Sequence, residues 1–268
     1  MDNLLLLFTL PFIAACIVFL LPIRSAKALK SCAAVLSLLP AAFLLFNHAN
    51  LKGSFFSYPW LPALSINFTL SIDGASLIFL YLTAIVIPIS ILSTKSRSIF
   101  HPHTFYGLIL FLQGLLIGFF CAGDLALFTV FWEAMLLPLF FIINIWGGNR
   151  RQSASIKFLV YMIAGSALMV AAVLALYLPS GSFDMDVLAK TSETSPYAYW
   201  IFAAFLLAFA VKTPLFPFHA WLPETYTQAP VAGTILLSAI LSKAGIYGII
   251  RIGLNQFPNF MQSWSPLL

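Results

Sequence analysis

Hydrophobic and polar positions along this chain are organised in long blocks. Apolar runs of about 20 residues, long enough to cross a hydrocarbon core of roughly 30 Å, are separated by short polar loops. The blocks predict about eight transmembrane helices, over residues 4–22, 31–46, 74–93, 104–122, 125–146, 155–178, 197–221 and 230–252. A longer polar and aromatic connector, 47–73, joins the second to the third. Within it "SINFTLSID" alternates apolar and polar positions, which predicts a short hairpin. A transmembrane β-barrel would need such alternation in every segment, and the other segments lack it. The expected class is an all-α integral membrane protein.

Composition agrees with the pattern. Hydrophobic residues make up 62% of the 268 and charged residues 8%, against about 25% charge in a soluble domain. Mean hydropathy is +1.01. The formal net charge of +5 does not point to nucleic acid, because the basic residues fall in short loops between spans, where they set orientation. One set of loops holds Arg24, Lys27, Lys30, Lys95, Arg97, Arg150, Arg151 and Lys157. The opposite set holds only Lys52 and Lys190, beside Asp184, Asp186 and Glu193. This asymmetry predicts that the first set is cytoplasmic and the amino terminus external; Arg251, near the outer end of the eighth span, is the exception. The first span lacks a basic leader and an A-x-A site, so it is expected to stay as a mature helix. Cys16, Cys32 and Cys121 each lie alone in an apolar run, as small hydrophobes do. His48, His101 and His103 are scattered, the last two flanking Pro102 in a loop.

Three charges fall inside spans: Glu133 in "LFTVFWEAMLLPLFF", Lys212 in "FAAFLLAFAVKTPLFPFHAWLPE" and Lys243 in "LLSAILSKAGIYGIIR". Each costs roughly 2.5 to 3.5 kcal/mol at a helix centre, so all three must pair, hydrate or lose charge. Two roles fit. A structural ion pair would lock helices together; a proton or ion path is the usual role of intramembrane ionisable groups. At about 4 Å and an effective dielectric near 20, a Glu133–Lys212 pair is worth about 4 kcal/mol, enough for a small movement of the acid to decide the lysine's charge. Pro214 and Pro217 come directly after Lys212. They predict a discontinuous seventh helix whose freed carbonyls, around residues 208 to 213, hold water and a cation. His219 would lie two turns further on if helix resumes, either on the same path or as an interfacial residue beside Trp221. Gly233, Ser238, Ser242, Ala244, Gly245 and Gly248 surround Lys243, spaced for close helix approach, and predict that Lys243 faces the protein interior.

The stretches "FWEAMLLPLFFIINIWGG", "RRQSASIKFLVYMIAGS" and "VKTPLFPFHAWLPETYTQAPVAGTILLSAILSKAGIYGIIRIG" closely resemble the antiporter-like membrane subunit M (chain 4) of NADH–quinone oxidoreductase, respiratory complex I. "LSIDGASL" resembles the same family's lead into its third span. The resemblance implies the N-terminal part of a fold of about fourteen helices. Residues 1–103 would be three leading helices with an external connector, 104–253 the first five-helix repeat and proton-translocating module, and 254–268 a tail. It implies that Glu133, Lys212 and Lys243 form the entry half of a proton path coupled to quinone reduction elsewhere in the complex. NADH, FMN, iron–sulfur clusters and quinone are then expected in partner subunits, with no cofactor, metal or catalytic redox site in this chain. The expected partners are other membrane subunits of that complex and the lipid bilayer, not nucleic acid, and the expected location is the bacterial inner (plasma) membrane. Two features depart from the family pattern. After "HAWLP" the family commonly reads D-A-H-T-E-A-P, where this chain has Glu224, Thr225, Tyr226, Thr227, Gln228, Ala229 and Pro230. The second repeat is also absent, so a split gene product, a truncated chain or a partial sequence is expected. The alternative readings are a subunit of a multisubunit cation/proton antiporter and a non-pumping remnant.

The charge asymmetry makes a direct prediction. With single cysteines placed at 150 and 190 in an otherwise cysteine-free chain, an impermeant thiol reagent on intact cells should label 190 and spare 150. The reverse pattern would overturn the orientation.

Overall fold

The computed structural model describes residues 3–95 and 99–264. The elements run α1 (Asn3–Leu20), α2 (Ala26–Phe46, bent at Leu38), β1 (Phe55–Leu61), β2 (Ile66–Ser71), α3 (Gly74–Leu92), α4 (Pro102–Cys121), α5 (Leu125–Trp146), α6 (Arg151–Ser180), α7 (Ala198–Lys212), α8 (Leu222–Gln228), α9 (Val231–Leu254) and α10 (Pro258–Trp264). Among the described residues seven helices are long and apolar enough to cross a membrane. The fifteen-residue α7 is the expected seventh span, cut short. At 1.5 Å per residue it reaches only about 22 Å, less than a hydrocarbon core.

The helices pack around α4, which is apolar on every side and buried on nearly every side, as a helix with no polar stripe must be. Its small residues act as seats. Phe19 and Phe12 of α1 press on Gly107 and Gly114, where an added Cβ would come within 2.6 Å of each ring. Around α4 lie α1, α2, α3 and α5, while α6 holds α5 on one side and α7 on the other, and α7 packs in turn on α9.

Each end of the bundle is closed by polar groups that satisfy helix termini. The expected hairpin forms, with β1 antiparallel to β2, Tyr58 opposite Phe68, and an irregularity between Pro59 and Leu61. It sits beside the start of α5. Asp124 there accepts from the Ala126 and Leu127 amides at 2.8 and 3.1 Å, and its second oxygen accepts from the Asn67 amide at 3.3 Å. Asp73 caps α3 through the Ser76 amide at 2.7 Å. At the opposite end Lys30 donates to the carbonyls of Leu92 and Thr94 at 2.8 and 2.6 Å, satisfying the last turn of α3. The acidic connector 181–197 joins the hairpin end: Leu125 N–H donates to the Phe183 carbonyl at 2.8 Å and Gly123 N–H to that of Thr69 at 2.9 Å. The two ends therefore separate the charges as the sequence implies; Arg97 of the basic set lies outside the described residues.

Several features differ from the sequence pattern, among them the second helix, which begins at Ala26 and not at 31. The sixth helix starts at Arg151 and not at 155, because the polar residues of its first turn lie at the bundle end. The seventh ends at Lys212 and not near 221. The eighth contains two wide turns, Leu237–Leu241 and Ile249–Leu254, with π-type hydrogen bonding on either side of the turn that carries Lys243. Wide turns of this kind often mark functional positions.

The small residues of α9 do bring helices together, but they place Lys243 elsewhere. Gly245 faces α7, where an added Cβ would lie 2.7 Å from the Phe209 carbonyl oxygen and overlap the Thr213 hydroxyl, and Gly248 abuts the Phe209 ring. Lys243, two residues from Gly245 and thus roughly 200° round the helix, is exposed. The interior-facing placement expected for it is incorrect in this chain. Gly233, Ala244, Gly245 and Gly248 are buried, in keeping with the close helix approach that their spacing predicts.

Gly245→Leu is expected to cost about 1–3 kcal/mol or more through overpacking, read as a lower thermal midpoint of the detergent-solubilised protein. Gly74→Ala, where an added Cβ meets nothing within 4 Å, should leave the midpoint unchanged or slightly raised.

Candidate functional site

The site is built where α7 stops. Lys212 is its last residue, at the helix end where the backbone dipole favours a cation. The side chain is 1% exposed. Its ammonium donates to the Trp132 carbonyl oxygen at 3.0 Å and lies 3.6 Å from the centre of the Trp132 ring. One tryptophan of α5 thus supplies both an oxygen and a π face to the same cation. Trp132 is itself fixed. Its indole donates to the Ser166 hydroxyl of α6 at 3.1 Å, and its ring stacks on Phe128 and meets Phe209 edge-on. The helix ladder of α5 is interrupted just beyond, at Met135, because Pro138 lacks the N–H that the Ala134 carbonyl would receive.

After Lys212 the chain does not resume helix until Leu222. The segment holding Pro214 and Pro217 is a series of turns. Its freed carbonyls are taken by protein donors: Thr213 N–H to Phe209 at 2.8 Å, Leu215 N–H to Ala210 at 2.9 Å, and the Trp221 indole to Val211 at 3.0 Å. This corrects the expectation that those carbonyls would hold a cation. The cation at the break is Lys212 itself. The Thr213 hydroxyl beside it is buried with no hydrogen-bond partner among the described residues.

The other predicted residues are dispersed. Glu133 is the residue after Trp132 but points away from the lysine. It is half-buried in a groove of about 450 Å³ between α5 and α6, lined by Thr129, Val130, Leu137, Leu159 and Ile163. Among the described residues it makes no ion pair within 4.0 Å; those seen are Lys157–Glu224 and Arg251–Asp73. The expected direct Glu133–Lys212 pair is therefore absent, because adjacent residues on a helix project about 100° apart and Trp132 occupies the lysine. The carboxylate remains near enough for its charge to act on Lys212. Lys243 donates to the Ser238 carbonyl at 2.6 Å and to the Ser242 hydroxyl at 3.5 Å. His219 is exposed in the turns, its ring 5.7 Å from that of Phe216; no helix resumes there, so it does not lie two turns above Lys212.

Several participants are not among the residues that the sequence singles out. Trp132 and Trp221 hold the break, and their signal is an aromatic directly beside each motif. Glu224 accepts from Ser153 at 3.1 Å and pairs with Lys157 at 3.4 Å. Gln228 accepts from Arg150 N–H at 2.9 Å through its side chain and from Gly148 N–H at 2.8 Å through its backbone. Both residues fall where the family pattern is broken, and they tie α8 to the basic loop. Arg251 pairs with Asp73 and donates to the Ser71 hydroxyl at 3.1 Å, which accounts for a basic residue at the acidic end. Burial pushes the Asp73 carboxyl up, but the Ser76 amide and the Arg251 guanidinium outweigh it and hold the group below its ordinary value.

These features define a class: a multi-pass integral membrane protein with a discontinuous helix that ends on a buried lysine. A sequence profile described as "NADH:quinone oxidoreductase/Mrp antiporter, TM" matches residues 122–268, more than half of the chain, and the chain belongs to that family. It is 41% identical over 236 residues to the F(420)H(2) dehydrogenase subunit M of Methanosarcina mazei, covering 84% of this chain and 47% of the relative. It is 36% identical to NADH-ubiquinone oxidoreductase chain 4 of Arabidopsis thaliana, covering 99% and 55%. Among solved structures, a chain of respiratory complex I from Thermus thermophilus superposes with a TM-score of 0.86 at 30% identity, covering 99% of this chain and 56% of that one. The chain thus spans about half the length of the curated relatives it matches.

Trp221→Phe removes the donor to the Val211 carbonyl. Leaving that group unsatisfied is expected to cost about 1–3 kcal/mol. Amide exchange at Thr213 and Leu215, which close the helix end, should accelerate by about tenfold or more by hydrogen–deuterium exchange.

Proposed function

We propose that this chain is the subunit M portion of a proton-translocating NADH:quinone oxidoreductase and that it carries the entry half of a proton path. The observation that carries the reading is Lys212. It is an ammonium in the membrane interior at a helix break, held by a carbonyl and a π face, with a carboxylate on the next residue of the same tryptophan helix. Neither holding group takes a proton, so the lysine's hold does not require it to stay permanently ion-paired. Glu133, in its own groove, is the second protonatable group, and Lys243 on α9 is the third. Residues 104–253 form the translocating module, 1–103 the leading helices and 254–268 a tail beyond the module.

The relatives support the reading by name: a chain 4 of NADH-ubiquinone oxidoreductase and a subunit M of an F(420)H(2) dehydrogenase, with a complex I structure as the superposed fold. Electron donor, FMN, iron–sulfur clusters and quinone would be bound by partner subunits, and other membrane subunits of the same complex would cover the exposed apolar helix faces. The basic loops would face the cytoplasm of a bacterial inner membrane, with the amino terminus outside. The family also contains Mrp antiporters, so a multisubunit cation/proton antiporter is the competing reading.

In the assembled complex, Lys212→Met and Glu133→Gln are each expected to lower proton flux per turnover by about tenfold or more while subunit assembly stays intact. Flux is read with a pH-sensitive dye in vesicles. Normal pumping in both variants would make the buried charges structural. Sodium–proton exchange with no electron donor would select the antiporter reading.

A further inference from the structure

Trp132 holds Lys212 with two parts that are fixed in different ways. Its carbonyl oxygen, 3.0 Å from the ammonium, belongs to the backbone of α5 and stays in place whatever the side chain does. Its ring, with the centre 3.6 Å from the ammonium, depends on two side-chain torsions. Phe128 and Phe209 bound the ring at 6.2 and 5.5 Å between centres, but neither contact has a polar end. The hydrogen bond from the indole N–H to the Ser166 hydroxyl, 3.1 Å long, is directional. Ser166 is 4% exposed and sits on α6, which lies between α5 and α7. The residue before it sets the other side of the site. Gly165 is buried against α7, where an added Cβ would stand 3.0 Å from the Val211 Cβ, and Val211 directly precedes Lys212. Consecutive helix positions project about 100° apart, so Gly165 seats α7 while Ser166 reaches α5.

We infer that Ser166 is a positioning residue for Lys212: its hydroxyl fixes the angle at which the Trp132 ring faces the ammonium, which makes α6 the third element of a site otherwise built from α5 and α7. The inference deepens the proton-path reading and rests on it for its flux readout. The physical basis is the shape of the ring's charge. An aromatic ring is negative over its face and positive at its edge, so it attracts a cation that lies over the centre and loses that attraction as it turns edge-on. A buried indole N–H without an acceptor is left unsatisfied, at a cost that favours any rotation that finds one. Ser166 removes that incentive by accepting the hydrogen in the one orientation that leaves the face on Lys212.

The test uses the assembled complex in vesicles and two readouts. One is proton flux per turnover. The other is the ultraviolet resonance Raman spectrum of Trp132, isolated by subtracting the spectrum of Trp132→Phe, in which ring bands report the ammonium over the face. Ser166→Ala should lower flux about fivefold, the size of one hydrogen bond, and should shift the same ring bands that Lys212→Met shifts. Phenylalanine at 132 has no N–H for the serine to hold, so Ser166→Ala combined with Trp132→Phe should be no worse than Trp132→Phe alone. Parental flux in Ser166→Ala overturns the inference, and so does a loss that adds to that of Trp132→Phe. Ring bands left in place by Ser166→Ala also overturn it, because a merely structural serine would not move the ring relative to the lysine. If Ser166→Ala fails to assemble, Ser166→Cys decides, since its thiol is a weak acceptor of similar size: reduced flux with shifted ring bands supports the inference, and parental values overturn it. Lys212→Met separates the two levels. If it leaves flux unchanged, the proton-path reading fails, and the ring bands alone decide whether Ser166 aligns Trp132 on the lysine.

Discussion

A charged amine in hydrocarbon is the constraint on which this molecule depends. An ammonium at the centre of a membrane helix costs roughly 2.5 to 3.5 kcal/mol on insertion scales, and Lys212 is fully enclosed by protein. The fold meets that cost with one residue of a neighbouring helix. Trp132 offers its carbonyl oxygen at 3.0 Å and its ring face at 3.6 Å. The end of α7 adds the negative pole of its own dipole. A helix that continued past Lys212 would use its terminal carbonyls in its own ladder and lose that pole, so the break and the lysine explain each other.

The rest of the bundle serves to keep this contact in place. Ser166 of α6 fixes the indole of Trp132, and Phe128 and Phe209 fix its ring. The break is sealed by protein donors, above all the Trp221 indole, which satisfies the Val211 carbonyl where water otherwise would. Beyond the break, α8 is moored to the basic loop through Gln228 and Glu224. Glu133 is left in its own groove, acting on the lysine through its field and not through a bond. An acid with no direct ion pair to it leaves the lysine free of a permanent carboxylate partner, as the proposed proton path would require.

Much of this is legible in the sequence, for reasons particular to membranes. With backbone groups unable to hydrogen-bond to lipid, apolar blocks can only be helices, so the spans come from length alone. The same rule makes Pro214 and Pro217 readable as a break, and the alternation of "SINFTLSID" is readable as a strand. Facing is less legible. The glycines around Lys243 suggest an inward side chain; helical geometry instead puts Gly245 on the packed face and Lys243 off it. Charge cost suggests a Glu133–Lys212 pair, yet the cost is met by a tryptophan carbonyl and ring, which no charge count reveals. The pattern overestimates the reach of the seventh helix because Phe216, Phe218 and Trp221 are apolar enough to read as span while adopting turns.

The account turns on how Lys212 is held, and an experimental density map of the assembled complex that resolves this side chain tests it most directly. The predicted result is an α7 that ends at Lys212, with the amine on the Trp132 carbonyl near 3.0 Å and over its ring near 3.6 Å, and the Glu133 carboxylate more than 4.0 Å away. A continuous helix through 213–221, or Lys212 directly paired with Glu133 and withdrawn from Trp132, would contradict it.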